Sequence, residues 1–229
     1  MMHVPFDLAS RQKYLVQEFT DAEYDRRLAA VRANMARAGL DALVIYCGAS
    51  SYATARWLTN YQAFNGTCFV VVRPDGGITV TTDGVLHGEP MHAMVWTCRA
   101  DDMRCAAGAI YGGPPDEAAT MAADAVGAAT RVGLVGSRNI PGVLHAALLA
   151  KLPGLVTADA VVAEARMIKS AAELERMDEA GRIADAAFEA VFATLHPGVE
   201  EIEVAAAAVA VMLKRGSIEI GRASCRERV

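Results

Sequence analysis

The stretch "TDAEYDRRLAAVRANMARAGLDALVIY", residues 20–46, decides the fold because it passes from a helix to a buried strand within a few residues. Thr20 and Glu23 have the spacing of a capping box, in which each side chain binds the other residue's backbone amide. Apolar residues then recur at helical spacing, and Gly39 supplies the left-handed conformation that ends many helices. The run "DALVIY" (41–46) is typical of a buried strand. This segment predicts an α/β unit.

The segments that follow continue the same pattern. "TCFVVVRPDGGITVTT" (67–82) predicts a hairpin, because two β-branched runs flank a Pro-Asp-Gly-Gly turn. Further predicted elements are strands at 93–98 and 131–136, helices at 116–129 and 139–152, and a short strand with a turn at 154–165. Strands that alternate with helices predict an α/β layer with a mixed sheet. We expect residues 20–165 to form this domain, after an N-terminal extension at 1–19.

The composition excludes several classes of function. The chain has 229 residues, of which 53% are hydrophobic and 21% charged, as in a soluble globular protein. Its net charge of −5 argues against nucleic acid or an anionic membrane as a partner, since both require a basic face. No stretch approaches the roughly 18 consecutive apolar residues of a membrane span. Five cysteines without a C-x-x-C pair predict reduced thiols and a cytoplasmic protein.

A second helical region begins late in the chain, at "RMIKSAAELERM" (166–177). Ser170 and Glu173 form another predicted capping box, "HPG" (196–198) ends the first helix, and a second helix follows at 200–215. The first helix carries an apolar stripe at helical spacing, made of Leu174, Met177, Ala184, Phe188, Val191 and Leu195. Two helices cover each other only in part, so this stripe requires a sheet, and no sheet-forming sequence follows.

The last residues, "SIEIGRASCRERV" (217–229), show no strand or helix period over a useful length. They are either a disordered tail or a sequence that is not native to the protein. The three arginines and the cysteine in the last eight residues favour the non-native interpretation. We therefore expect residues 166–216 to be the start of a second, truncated domain.

Two motifs in this region resemble a known family. R-x-I-K-S-x-x-E-L (166–174) and P-G-x-x-x-x-E (197–203) are similar to the start of the catalytic domain in the creatinase/prolidase/Xaa-Pro aminopeptidase family of M24-type metallopeptidases. Upstream, "WLTNYQ" (57–62) resembles that family's aromatic–Leu–Thr–Gly–aromatic stretch, with Asn60 in place of the usual glycine. The resemblance covers about residues 20–216.

The resemblance implies a two-domain metallohydrolase. Its second domain has the pita-bread fold, an antiparallel sheet backed by helices, and binds two divalent metal ions (Mn, Co, Fe or Zn) through two Asp, one His and two Glu. In family members those ligands lie beyond the helical hairpin, so none can be assigned in this chain. We therefore expect a creatinase/prolidase N-terminal-type α/β domain joined to the first helices of a catalytic domain, with no metal bound and no activity in this fragment.

The family also implies candidate residues for substrate binding. In its dimeric members this region of one N-terminal domain reaches the active site of the other subunit. On that basis Tyr61, Phe64 and Asn65 would contact substrate across a homodimer. The alternative is that Trp57, Tyr61 and Phe64 pack in the core or at a domain interface.

The resemblance leaves three functions open for the intact protein. The first is a hydrolase that removes the N-terminal residue of an Xaa-Pro peptide, or cleaves a related amide or amidine bond. The second is a non-catalytic pita-bread protein used for protein recognition, and the third is a metal-dependent lyase that acts on a small metabolite. The metal ligands of the missing half separate the second from the others.

Three other motifs do not indicate a metal-binding or phosphate-binding site. His87 and His92 are five residues apart and lack the H-E-x-x-H spacing of a zinc site. Asp101 and Asp102 are adjacent, which on a strand would point them to opposite faces, and a solvated loop is the simpler interpretation. "GLVGSRNIPG" (133–142) contains neither G-x-G-x-x-G nor G-K-[ST], the glycine patterns of phosphate-binding loops. It therefore predicts a strand-to-helix turn.

Overall fold

The computed structural model describes residues 19–48, 51–61, 67–82, 85–86, 89–90, 98–105 and 114–217. These residues divide into two compact units, one ending at Ile168 and the other beginning at Lys169. Several features of the sequence lie outside the described residues, namely most of 1–19, the predicted strand at 93–97, the side chains of His87 and His92, Phe64, Asn65, and 218–229.

The first unit is built on a mixed sheet, as the sequence predicted. Its strands are β1 (Ala42–Gly48), β2 (Thr67–Val72), β3 (Ile78–Thr82), β6 (Asp102–Cys105), β7 (Val132–Val135) and β8 (Leu155–Thr157), with β4 (Val85–Leu86) and β5 (Glu89–Pro90) forming a separate pair. The spatial order is β6-β3-β2-β1-β7-β8. β2 runs antiparallel to both of its neighbours, whereas the other neighbouring strands are parallel.

Helices cover both faces of this sheet. They are α1 (Asp21–Ala38), α2 (Ala53–Thr59), α3 (Pro115–Val126), α4 (Gly142–Lys151) and α5 (Asp159–Met167). On one face, α1, α2 and α5 form a buried cluster with alternate residues of β1 and β2. On the opposite face, α3 and α4 form a second buried cluster with the other residues of these two strands. Every residue of β1 is buried, because this central strand has helices on both sides.

The ends of α1 confirm the helix signals at 20–46. The Oγ1 of Thr20 accepts a hydrogen bond from the Glu23 amide at 3.3 Å, and Gly39 ends the helix at φ 63°. The hairpin of β2 and β3 also forms as predicted, with Val70 opposite Val80. Local sequence signals therefore determine these parts of the unit.

One local prediction is wrong. Residues 159–165, which the sequence placed in a turn, belong to α5. Asp159 lies in the first turn of this helix, where a carboxylate interacts favourably with the helix dipole. Val161 and Val162 are buried in the cluster shared with α1. The helix gains its stability from this packing, which a nine-residue window does not reveal.

The second unit is a helical hairpin of α6 (Ala171–Thr194) and α7 (Glu201–Lys214), which pack against each other. The predicted capping box at the start of α6 is present: the Glu173 amide donates to Ser170, and the Ser170 amide donates to Glu173. α6 buries Ile183, Ala186 and Ala187. The small side chains of Ala186 and Ala187 permit a close approach of two helices.

The apolar stripe predicted on α6 does not coincide with its buried face. Leu174, Phe188 and Leu195 of that stripe are exposed, together with Phe192. On α7, Ile202 and Leu213 are exposed as well. We call these six residues the exposed apolar set of the hairpin. The buried face of α6 is therefore its Ile183–Ala187 side, α7 has no fully buried residue, and the largest apolar side chains of the hairpin are uncovered.

Candidate functional site

The segment from Trp57 to Tyr61 is the candidate region, because it carries the aromatic motif found in the sequence. α2 ends at Asn60, which has a left-handed backbone (φ 59°) and donates its amide to the Arg56 carbonyl. Glycine adopts this conformation without steric cost, and asparagine tolerates it better than most other residues. This geometry explains how asparagine stands at a position where the motif usually has glycine.

Tyr61 is anchored inside the first unit. Its side chain is 1% exposed, its hydroxyl donates to the Thr82 Oγ1 at 3.1 Å, and its amide donates to the Thr59 Oγ1 at 3.1 Å. Trp57 is buried as well. Both side chains pack in the core, which was one of the two interpretations of the sequence. The assignment of Tyr61, Phe64 and Asn65 to substrate contact stays a prediction.

A buried arginine, Arg27, connects α1 to this region. Its Nε donates to Glu23 at 2.9 Å, and its Nη1 donates to the Trp57 carbonyl at 2.8 Å. The guanidinium lies 3.9 Å from the ring centre of Phe19 and 5.2 Å from the ring centres of Tyr24 and Trp57. Such stacking is favourable because the ring faces carry negative potential. Arg27 therefore fixes the position of α2 relative to α1.

A second arginine, Arg166, reaches the same tryptophan from the end of α5. Its guanidinium lies 5.8 Å from the Trp57 ring centre, and its Nη1 donates to the Thr54 Oγ1 at 3.1 Å. Arg166 is the first residue of the motif at 166–174. Within the first unit, the tertiary structure therefore places the first residue of that motif against the aromatic motif at 57–62.

Sequence reasoning missed this arginine cluster, although part of the signal was present. Arg27 follows Tyr24 by three residues and precedes Val31 by four, so it lies on the buried face of α1. A charged residue at such a position implies a buried partner, because an isolated charge is costly to bury. The identity of that partner, the Trp57 carbonyl thirty residues away, depends on the tertiary structure.

The carboxylate of Glu23 is held in its charged form. Arg26 donates two hydrogen bonds to it at 2.7 and 2.9 Å, and Arg27 donates one at 2.9 Å. The hydrogen bonds from Arg26, followed by those of Arg27 and the positive charges of both residues, lower the pKa of Glu23 to about 2 against the opposing effect of burial. The folded state therefore binds a proton here less readily than the unfolded chain.

We expect Glu23→Gln to remove part of the acid sensitivity of folding. Between the usual pKa of 4.5 and about 2, the unfolded chain is protonated at Glu23 and the folded chain is not. The stabilisation is therefore complete above about pH 5 and is lost as the pH falls toward 2. In urea unfolding at pH 6, the free energy of unfolding of the variant should be up to about 3 kcal/mol lower than that of the original chain. The difference should be smaller at pH 3.

The matched control is Glu164→Gln, since Glu164 pairs with Arg37 at an exposed site. That substitution should change the unfolding free energy by less than about 1 kcal/mol at either pH. A loss at Glu23→Gln that is the same at pH 6 and pH 3 would contradict the proposed ionic contribution.

Cys98 lies close to the candidate segment but is not suited to act as a nucleophile. Burial raises the pKa of its thiol to about 12, and the opposing effect of a hydrogen bond with Thr59 is smaller. A nucleophilic cysteine requires a thiolate near neutral pH. The Cys98 thiol therefore stays protonated.

The glycine-containing loop after β7 binds a carboxylate of its own chain. The Gly136 amide donates to Asp159 at 2.6 Å, and the Ser137 hydroxyl donates to the same carboxylate at 2.5 Å. An amide and a hydroxyl that could bind phosphate are thus engaged by Asp159. The loop is the strand-to-helix turn that the sequence predicted.

Metal ligands do not come together in the part of the chain that the structure describes, where no three His, Cys, Asp or Glu side chains are arranged to hold an ion. Asp101 and Asp102 are not both in a loop, as the sequence suggested, because Asp102 begins β6. Asp101 accepts from the Ile78 amide at 2.7 Å, and Asp102 accepts from Arg104 at 2.7 Å. Among the described helices, none combines the length and apolar character required to cross a bilayer.

Comparison with known proteins yields two family matches in one chain. The model of the creatinase/prolidase N-terminal domain matches residues 27–168, and that of metallopeptidase family M24 matches residues 175–226. An uncharacterised hydrolase/peptidase, y4tL, from Sinorhizobium fredii is 29% identical over 217 residues, which cover 88% of this chain and 52% of that protein.

Solved structures give the same result. The dipeptidase PepE from Mycobacterium ulcerans is 27% identical with a TM-score of 0.64, over 86% of this chain and 51% of that one. An Xaa-Pro dipeptidase from Bacillus anthracis has the same fold, at 21% identity and a TM-score of 0.63, over 84% of this chain and 50% of that one. The chain spans about half the length of these relatives.

Proposed function

The chain belongs to the creatinase/prolidase family of M24 metallopeptidases, and from this premise we propose that the intact protein is a metal-dependent hydrolase of Xaa-Pro peptides. The observation that carries the proposal is the order of the two matched segments. A creatinase/prolidase N-terminal domain is followed directly by the start of a metallopeptidase domain, and the boundary between the two compact units, at Ile168, falls between the matches.

The substrate class is proposed from the relatives. Their names specify a dipeptidase and an Xaa-Pro dipeptidase, and y4tL is named a hydrolase/peptidase. We therefore propose a short peptide with proline in its second position as the substrate. The scissile bond would be the amide before that proline.

We propose that the metal ions bind outside the residues that the structure describes. The described residues offer no ligand set, and the matched relatives are about twice as long as the matched region. We propose that two divalent ions bind to carboxylates and a histidine of the remaining half, and that the 229-residue chain is a truncated form without activity of its own. The match to metallopeptidase family M24 extends to residue 226 and so includes most of 217–229, which argues against a non-native origin for that part of the segment.

The role that we propose for the N-terminal domain is to supply part of the substrate pocket across a homodimer. The hydrogen bonds of Tyr61 to Thr82 and Thr59 fix the chain at the start of the segment that carries Phe64 and Asn65. A buried anchor of this kind limits the conformational entropy that the following residues lose on binding substrate. Phe64 and Asn65 are therefore the proposed contact residues. Tyr61, which the resemblance also implied as a contact, is 1% exposed and is proposed as their support.

Activity measurements on two proteins test the proposal. The protein from the complete reading frame, supplied with Mn²⁺, should hydrolyse an Ala-Pro dipeptide, lose activity on chelation and regain it on addition of Mn²⁺. The 229-residue chain under the same conditions should release no product. Cleavage by the 229-residue chain with stoichiometric metal would overturn the truncation proposal, and a folded complete protein that neither binds metal nor cleaves the peptide would favour a recognition role.

A further inference from the structure

Two cysteines face each other in the core of the first unit. Cys47 near the end of β1 lies directly opposite Cys68 near the start of β2 in the antiparallel register. Both belong to the same buried cluster, so their side chains are on the same face of the sheet. Both are present as thiols.

The geometry of this rung suits a covalent bond. Directly opposed residues in antiparallel strands have Cα atoms about 4.5 or 5.5 Å apart, depending on the type of pair. A disulfide requires a Cα separation of about 4.4–6.8 Å. We propose that Cys47 and Cys68 are a redox-active cross-strand dithiol that closes to a disulfide by exchange with a small disulfide such as oxidised glutathione.

The exchange takes place in two steps. The thiolate of one cysteine attacks a sulfur of oxidised glutathione, so that a mixed disulfide forms and one glutathione thiolate leaves. The thiolate of the second cysteine then attacks the protein sulfur of that mixed disulfide, which forms the Cys47–Cys68 bond and releases the second glutathione. The two protons of the protein thiols go to the two glutathione thiolates. Two protein thiols are oxidised and one small disulfide is reduced.

The position of the pair in the ladder explains how a buried thiol is reached. Only one further rung, Gly48 opposite Thr67, separates the pair from the end of the β1–β2 ladder. Ends of elements open locally at much lower cost than the whole domain unfolds. Cys47 and Cys68 are both fully buried against α2, so exchange requires local opening of the strand ends together with the helix that covers them, while the remaining rungs keep the strands together.

Closure would act on the candidate segment. The loop between Cys47 and Cys68 contains α2, Tyr61, Phe64 and Asn65. A crosslink at its base restricts the conformations of the loop in the unfolded chain and when the strand ends fray. Any effect on substrate binding rests on the proposed function, whereas formation of the bond does not.

Peptide mapping of the 229-residue chain tests the dithiol. The reduced chain is incubated with oxidised glutathione without denaturant, remaining thiols are alkylated, and the digest is analysed by mass spectrometry without reduction. We expect one dominant linked pair of peptides, joined through Cys47 and Cys68, which disappears on treatment with dithiothreitol. The same incubation in concentrated urea should spread the linkages over other cysteines.

Cys98→Ala is the matched control, because Cys98 packs against the same cluster but does not face either cysteine in the sheet register. It should give the same linked pair in the same yield, whereas Cys68→Ala should stop at a mixed disulfide of Cys47. If Cys68→Ala does not fold, the peptide maps of the original chain and of Cys98→Ala still show whether Cys47 and Cys68 become linked. Unmodified Cys47 and Cys68, a persistent mixed disulfide in the original chain, or linkages no more selective than in urea would overturn the proposal.

Discussion

Replacement of Arg27 by alanine is expected to lower the free energy of unfolding by about 3–5 kcal/mol, the usual loss when one partner of a buried ion pair is removed. The Arg27 side chain is 1% exposed and donates to both Glu23 and the Trp57 carbonyl. Its guanidinium also packs on three aromatic rings, so the substitution removes contacts between α1, α2 and Phe19 at the same time. Urea unfolding monitored by tryptophan fluorescence measures the loss.

Arg26→Ala provides the matched control. Arg26 binds the same Glu23 carboxylate, but its side chain is 42% exposed. Arg26 keeps contact with solvent, and Arg27 still binds Glu23 in this variant, so the loss of unfolding free energy should be about 1–2 kcal/mol and smaller than that of Arg27→Ala. Arg27→Met keeps much of the buried apolar volume, so its loss in free energy of unfolding should be between those of Arg26→Ala and Arg27→Ala. A loss at Arg26→Ala as large as that at Arg27→Ala would show that the buried contacts of Arg27 are not the source of the stability.

The second large effect concerns the exposed apolar set of the helical hairpin. We expect the 229-residue chain to self-associate, because soluble monomers rarely leave contiguous apolar side chains of this size uncovered. Phe188 and Phe192, which are 62% and 70% exposed, lie one turn apart on α6. Burial of each such side chain contributes about 1.5–3 kcal/mol. Phe188→Asp with Phe192→Asp should therefore weaken association by about 100-fold or more.

Sedimentation velocity over a range of protein concentrations measures this shift. Val143→Asp is the control, since Val143 on α4 is also strongly exposed, at 68%, but belongs to the first unit. It should leave the association unchanged. A shorter chain that ends near residue 165 should behave like the double variant. If the original chain is monomeric at high concentration, the exposed set does not drive association.

Much of the first unit could be predicted from short stretches of sequence. The helix at 21–38, the hairpin at 67–82 and the capping box at Ser170 are each specified by residues within a few positions of one another. The prediction at 159–165 was wrong because α5 depends on the burial of Val161 and Val162. The stripe on α6 was expected to lack a partner surface in this chain, and its residues Leu174, Phe188 and Leu195 are exposed.

Some features of the candidate site could also be predicted from the sequence, whereas others required the structure. The aromatic motif at 57–62 and the glycine-type position of Asn60 were visible in the sequence, and the positive φ of Asn60 gives that position a physical basis. The contacts of Trp57 with Arg27 and Arg166 were not visible, because they join residues that are 30 and 109 positions from it in the chain. Tyr61 could be recognised as an aromatic residue of interest, but only the structure shows its hydroxyl bonded to Thr82.

The sequence by itself determined both ends of α1, the start of α6, the turn of the β2–β3 hairpin, and which family the protein resembles. Those features depend on steric limits and hydrogen bonds between near neighbours, which are the same in any fold. The tertiary structure alone decided that Arg27 is buried against Trp57 and that Cys47 faces Cys68. Register and burial depend on contacts between distant segments, and no local pattern encodes which of several apolar surfaces will meet.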